Sequence, residues 1–145
     1  DAGLIIGDEG GGGAPYPCPG GALYFYRLES GVVPVLTGIY EPNEVVLARD
    51  ASQGLPGACT SHVFDISDDS KKLAISWYSA GTRVLNVEDA TGVAVGENSI
   101  GNLTEIGWFQ PDGGTSWSSK FYKGTKYVFS NDIQRGFDVF KVTGK

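Results

Sequence analysis

Methionine is absent from this 145-residue chain, histidine occurs once and cysteine twice. Structural zinc sites draw four ligands from Cys and His, so Cys18, Cys59 and the lone His62 are too few to build one. Nucleophilic catalysis is equally short of parts. No Gly-x-Ser-x-Gly elbow, Cys-x-x-Cys pair or histidine pair occurs, and only His62 could act as base to a serine or cysteine. Cations are scarce as well, with 11 Lys+Arg against 17 Asp+Glu and a net charge of −6. They are scattered, Lys71-Lys72 being the one adjacent pair, which argues against a nucleic-acid surface, since that rests on clustered cations. No apolar run approaches the ~20 residues of a spanning helix, and no charged-then-apolar leader is present, so an exported form is expected to have shed its signal.

What the chain holds in abundance is turn and strand material: Gly 22 and Pro 7, with seven Tyr, seven Phe and three Trp. Glycine supplies turn geometry, and aromatic side chains fit a pleated surface. Apolar and polar residues alternate through three similar units. Leu4 to Glu9 leads to Gly21 and then Ala22 to Tyr26. Leu73 to Tyr78 leads to Gly81 and then Thr82 to Val87, while Tyr127 to Asp132 leads to Gly136 and then Phe137 to Phe140. Two outer strands share a pattern of glycine, two large residues, a spacer and proline: Gly38-Ile39-Tyr40-Glu41-Pro42 and Gly107-Trp108-Phe109-Gln110-Pro111.

Such repetition marks units that bury their faces only by stacking on neighbours. The expected fold is all-β, a partial β-propeller of four-stranded antiparallel blades filling 1–145 as one segment. Part of a first blade lies in 1–42, a complete blade in about 62–111 and part of a third in about 115–145. The first lacks its inner strand and the third its outer strand. Open edges invite pairing, so completion is expected from the remainder of the same propeller, from another chain, or from copies assembling by strand addition. The turn glycines are 60 and then 55 residues apart, longer than a blade of about 40 to 50, and the excess falls in 43–61 and 90–102.

The wording of these units resembles the LVIVD-repeat family of secreted or cell-surface β-propellers. The resemblance is carried by Leu4-Ile5-Ile6-Gly7-Asp8-Glu9, Cys59-Thr60-Ser61-His62-Val63-Phe64-Asp65, Trp77-Tyr78-Ser79-Ala80-Gly81-Thr82-Arg83-Val84-Leu85, and Trp117 followed by Asn131 to Phe140. It implies an extracellular propeller in which such a block is the C-terminal portion of a longer chain. It supplies no reaction.

The sharpest candidate site is one end of the propeller channel, where loops would gather His62, Trp117, Arg83, Asp132 and Arg135 with Asp8 and Glu9. A histidine among carboxylates can serve as a general base or as one ligand of an oxygen-rich metal site. The competing reading has His62 and Trp117 begin equivalent inner strands and bond across blades. If a cation binds, Ca²⁺ at Asp8 and Glu9 is the better placement; Asp65-Ile66-Ser67-Asp68-Asp69 lacks the glycine and glutamate of a calcium loop. Gly10 to Gly13 lacks the Gly-Lys-Ser/Thr that would make it a phosphate loop. Asp112-Gly113-Gly114-Thr115-Ser116-Trp117 partly matches the Asp-box of sialidase-like propellers, but it joins two blades, and Arg27, Arg49, Arg83 and Arg135 form no sialic-acid cluster. Its role is structural, with Trp117 wedged between blades. Cys18 and Cys59 each sit in a Gly/Pro-rich loop ahead of a strand. They are read as a disulfide across the two loops, with two separate thiols as the alternative.

The function expected from these residues is a non-enzymatic structural or interaction module on a cell surface or in an extracellular assembly. Its contacts are the open edges and the exposed aromatics Tyr16, Tyr40 and Trp108. The rival is a ligand-binding, metal-binding or enzymatic propeller with its site at the His62 end.

Overall fold

The computed structural model describes residues 2–9, 21–43, 60–91 and 103–143. Cys18, Cys59, Gly10 to Gly13 and Tyr16 lie outside the described residues, as does most of the two long inter-strand segments. Among the described residues ten strands are set in three antiparallel sheets. The first sheet is β1 (Gly3–Gly7), β2 (Leu23–Glu29) and β3 (Val33–Tyr40). The middle sheet is β4 (Phe64–Ile66), β5 (Lys72–Ser76), β6 (Thr82–Asn86) and β7 (Thr104–Phe109). The third is β8 (Ser116–Phe121), β9 (Tyr127–Asp132) and β10 (Gly136–Lys141). Each sheet is a meander in chain order, with three, four and three strands.

The three glycines at or ahead of the third strands share a positive φ. Gly21, Gly81 and Gly136 have φ of 67°, 79° and 97°, in the region that costs other residues a steric clash. At Gly81 space forbids a side chain as well, because a Cβ would sit 2.2 Å from the Phe109 carbonyl oxygen. The outer pairs also share an irregularity. The register of β2 against β3 shifts after Phe25, which faces Gly38, and that of β6 against β7 shifts after Val84, which faces Gly107.

Strand alternation sends the two faces of the middle sheet to different neighbours. Leu73, Ile75, Leu85 and Val87 pack with Leu23, Phe25 and Tyr40 of the first sheet, around Trp77. Full burial of each aliphatic side chain there contributes about 1.5–3 kcal/mol. The opposite face carries smaller groups, Ala74 and Val84, which meet Val128 and Val142 of the third sheet with Ile106, Phe121 and Phe140 at the margin. Five buried hydroxyls fill the rest of that seam. Thr82 Oγ1 lies 2.9, 3.2 and 2.7 Å from the Oγ of Ser116, Ser119 and Ser130. Ser76 Oγ reaches Ser119 at 2.7 Å and Ser116 at 2.9 Å, and Ser116 reaches Ser130 at 3.2 Å.

One expected contact residue is buried instead. Tyr40 is 9% exposed, because its place opposite Leu23 turns it toward the middle sheet. Its ring meets Trp77 edge-on at 5.7 Å and its hydroxyl donates to Glu105. Trp108, by contrast, is 61% exposed and covers the Arg83 guanidinium at 5.6 Å.

Candidate functional site

The site is assembled where β1, the segment before β4, the turn after β5 and the start of β8 converge. The backbone N–H of Asp8 donates to the Ala22 carbonyl at 2.9 Å, which carries Glu9 just past the end of the first sheet. The Asp8 carbonyl accepts from Ser61 Oγ at 2.7 Å and Thr60 Oγ1 at 3.2 Å, tying the approach to β4 onto the first sheet. His62 N–H then donates to the Ser76 carbonyl at 2.9 Å. Across the seam, Val63 pairs parallel with Ser118, while Tyr78 and Ser116 exchange two backbone bonds of 3.0 and 2.9 Å. These pairings place Glu9, His62, Tyr78 and Trp117 together.

His62 Nδ1 lies 2.5 Å from the Trp117 carbonyl oxygen. A carbonyl can only accept, so Nδ1 donates, and Nε2 lies 3.4 Å from Glu9 Oε1, a contact that attracts when Nε2 carries a proton too. The same carboxylate oxygen accepts from the Tyr78 hydroxyl at 2.5 Å. The rings interlock, with His62 4.1 Å from Trp117 and 5.1 Å from Tyr78, and Tyr78 meeting Trp117 edge-on at 5.7 Å. Burial pushes the Tyr78 phenol above its ordinary range, and the hydrogen bond to Glu9 and its charge add to that. The phenol is therefore held neutral, as a donor.

Tyr78 also has φ of 40°, a left-handed conformation that costs a side-chain-bearing residue about 1–2 kcal/mol. The turn enforces it through Trp77 N–H to the Gly81 carbonyl at 2.7 Å, Ala80 N–H to Trp77 at 2.8 Å and Gly81 N–H to Tyr78 at 2.9 Å. Chemically the cluster offers a half-exposed carboxylate beside a Trp117 ring that is 43% exposed, braced from behind by a histidine and a phenol. Trp117 thus leans on the seam and keeps one face in solvent, more open than a wedge between sheets.

The other expected members are engaged elsewhere. Arg83 is fully buried, its Nε and Nη2 donating to the Ala80 carbonyl at 2.9 and 2.7 Å, with Gln110 Oε1 at 3.1 Å and Glu105 Oε2 at 3.5 Å. Such satisfaction is what lets a guanidinium be buried, and it ties the turn before β6 to the end of β7. Asp132 accepts from the backbone N–H of Thr115, Gln134 and Arg135 at 2.7, 2.9 and 3.0 Å, which fastens the β9 turn to the start of β8. It shares with Trp117, Asn131 and Ile133 only a shallow depression. Arg135 pairs with Asp138 at 3.6 Å.

The acidic turn before β5 is likewise occupied by protein. Asp65 accepts from Phe121 N–H at 3.0 Å, Asp68 from Gly124 N–H at 2.5 Å, and Asp69 from Ser67 Oγ at 2.6 Å and Lys71 N–H at 3.1 Å. Among the described residues no three His, Cys, Asp or Glu side chains are grouped to hold a metal ion. Of the expected site, Glu9, His62 and Trp117 meet. Tyr78 is the member that sequence reasoning missed, and no motif or spacing in the sequence signals it. No family model matches the chain, and neither a curated protein nor a solved structure is found to be similar to it.

Proposed function

We propose that the chain is a segment of an extracellular β-propeller of the LVIVD-repeat kind, acting as a structural and interaction module, with its three sheets as successive blades. The observation that carries this reading is a shared bulge: the register shifts just after the third-strand residue that faces Gly38 in one sheet and Gly107 in the next, and a glycine of positive φ stands at or just before the third strand of each unit. The parallel pairing of Val63 with Ser118 supports it, since inner strands of adjacent blades run side by side around a channel. In this reading β1 and β10 are open edges, taking strands from another segment or chain.

Hydrogen exchange read by mass spectrometry tests the reading, on the chain as recovered in its natural assembly and on the chain alone. The amides of β1 and β10 are expected to be protected in the assembly and to exchange fast in isolation, with β5 and β6 protected in both. Fast exchange at both edges in the natural material refutes the interaction role.

A second reading, a ligand-binding, metal-binding or catalytic site at the His62 end, is favoured by one observation. Tyr78 is held in a costly backbone conformation inside a polar cluster, and such strain gathers at functional positions. His62→Ala separates the two: the first expects assembly unchanged with nothing else lost, the second a bound metal, ligand or activity that disappears.

A further inference from the structure

The sheets stack through equivalent positions, and the stack leaves one such face open at each end. In the first sheet, Leu23 and Phe25 of β2 and Ile5 of β1 face the middle sheet. Aligned on the pairs Gly7 with Leu23 and Ser76 with Thr82, the same positions of the middle sheet are Thr82, Val84 and Ala74, and they face the third. In the third sheet the positions are held by Phe137, Val139 and Phe129. Val128, Ser130 and Phe140 of those strands face the middle sheet, so alternation turns these three outward. Phe137 is 60% and Val139 52% exposed, and Phe129 stacks on Phe137 at 5.4 Å and on Tyr122 at 5.6 Å.

The opposite end presents the complement. Leu4 and Ile6 alternate with the inward Ile5 and so lie on the outer face of the first sheet, beside their cross-strand partners Tyr26 and Tyr24. They hold the places of Leu73 and Ile75, the residues through which the middle sheet packs on Leu23 and Phe25. A face that receives aliphatic residues in this register is thus open at one end, and a face that offers them is open at the other.

We propose that a second copy of this chain covers the Phe129, Phe137 and Val139 face with its own Leu4 and Ile6 face, continuing the stack head to tail. The inference rests on reading the sheets as successive blades and goes beyond it, since it concerns sheet faces rather than edges and names the occupant. The contact is heterologous, so repeating it closes into a ring or runs on as a filament.

Sedimentation of the 145-residue chain over a concentration series tests it, with Val139→Asp disabling one face and Ile6→Asp the other. Both sites are exposed, so folding is expected to survive, and Phe137→Lys with Leu4→Lys provides an independent pair. The expected result is concentration-dependent association of the parent chain and a monomer for each variant. Mixing the two variants should give a one-to-one heterodimer that grows no further, because each retains one working face. A parent chain that stays monomeric, or association that survives either substitution, overturns the proposal. Association that survives both while the β1 and β10 amides are protected runs through the edges, which overturns the face contact and leaves the module reading standing.

Discussion

Replacing Thr82 by valine isolates the contribution of the hydroxyl-lined seam between the middle and third sheets. The five buried hydroxyls make six oxygen–oxygen contacts of 2.7 to 3.2 Å. Each hydroxyl brings one proton, so at most five of the six contacts carry a hydrogen bond at any moment. Thr82→Val keeps the branching and nearly the volume but deletes the three contacts of Thr82. What remains is the run Ser119, Ser76, Ser116, Ser130, with three contacts for four protons. Two hydrogen bonds are lost, and one buried proton has no partner. At about 1 kcal/mol net for each bond and about 1–3 kcal/mol for a stranded donor, offset by about 0.8 kcal/mol from the added methyl, the loss is about 2–4 kcal/mol. Ser119→Ala deletes two contacts and one proton, leaving four contacts for four protons, and costs about 1 kcal/mol. Urea unfolding with linear extrapolation measures both, provided the slope is unchanged. A Thr82→Val loss equal to or smaller than that of Ser119→Ala would refute the proton count and with it the network.

Gly81→Ala should destabilise the chain by at least about 2 kcal/mol more than Gly136→Ala: both pay the positive-φ cost of about 1–2 kcal/mol, but only the first drives a Cβ into the Phe109 carbonyl. Equal losses in thermal or urea unfolding would count against the turn geometry. In a spectrophotometric alkaline titration of the folded chain, the phenols of Tyr78 and Tyr24 should ionise above the ordinary range, both being raised chiefly by burial. Because their folded values lie above the ordinary value of about 10, their contribution to stability is in place below that pH and is lost as pH rises through the folded values. Glu9→Gln should bring the Tyr78 step down, and no movement would show that the Glu9 hydrogen bond does not act on it.

The strands were legible because the chain alternates plainly, and the boundaries from Leu73 to Phe109 fall within a residue or two of those observed. The turn glycines were legible for the same reason, since only glycine is at ease at their φ. Tyr40 was misjudged because alternation tells which residues share a face, while the packing of a neighbouring sheet decides which face is covered. Arg83 and Asp132 were expected at a channel mouth as charges. Burial drew the first onto the Ala80 carbonyl, and the second proved to be a backbone acceptor of a turn. No spacing rule reports such local uses. Tyr78 went unseen for the converse reason: a tyrosine at a strand end carries no mark that its phenol will meet a carboxylate 69 residues away.

The unlike linings of the two seams give them unlike responses to temperature. Exposing apolar surface raises heat capacity and exposing polar surface lowers it. Opening the seam around Trp77, Leu73 and Ile75 therefore carries a large positive increment, whereas opening the seam where Ser76, Thr82, Ser116, Ser119 and Ser130 share the space with Ala74, Val84 and Val128 carries a smaller one. On cooling, the grip of the first sheet weakens most as the hydrophobic term fades, while the seam that shares its space with hydroxyls weakens less. Chilling should then begin to take this molecule apart at its first sheet.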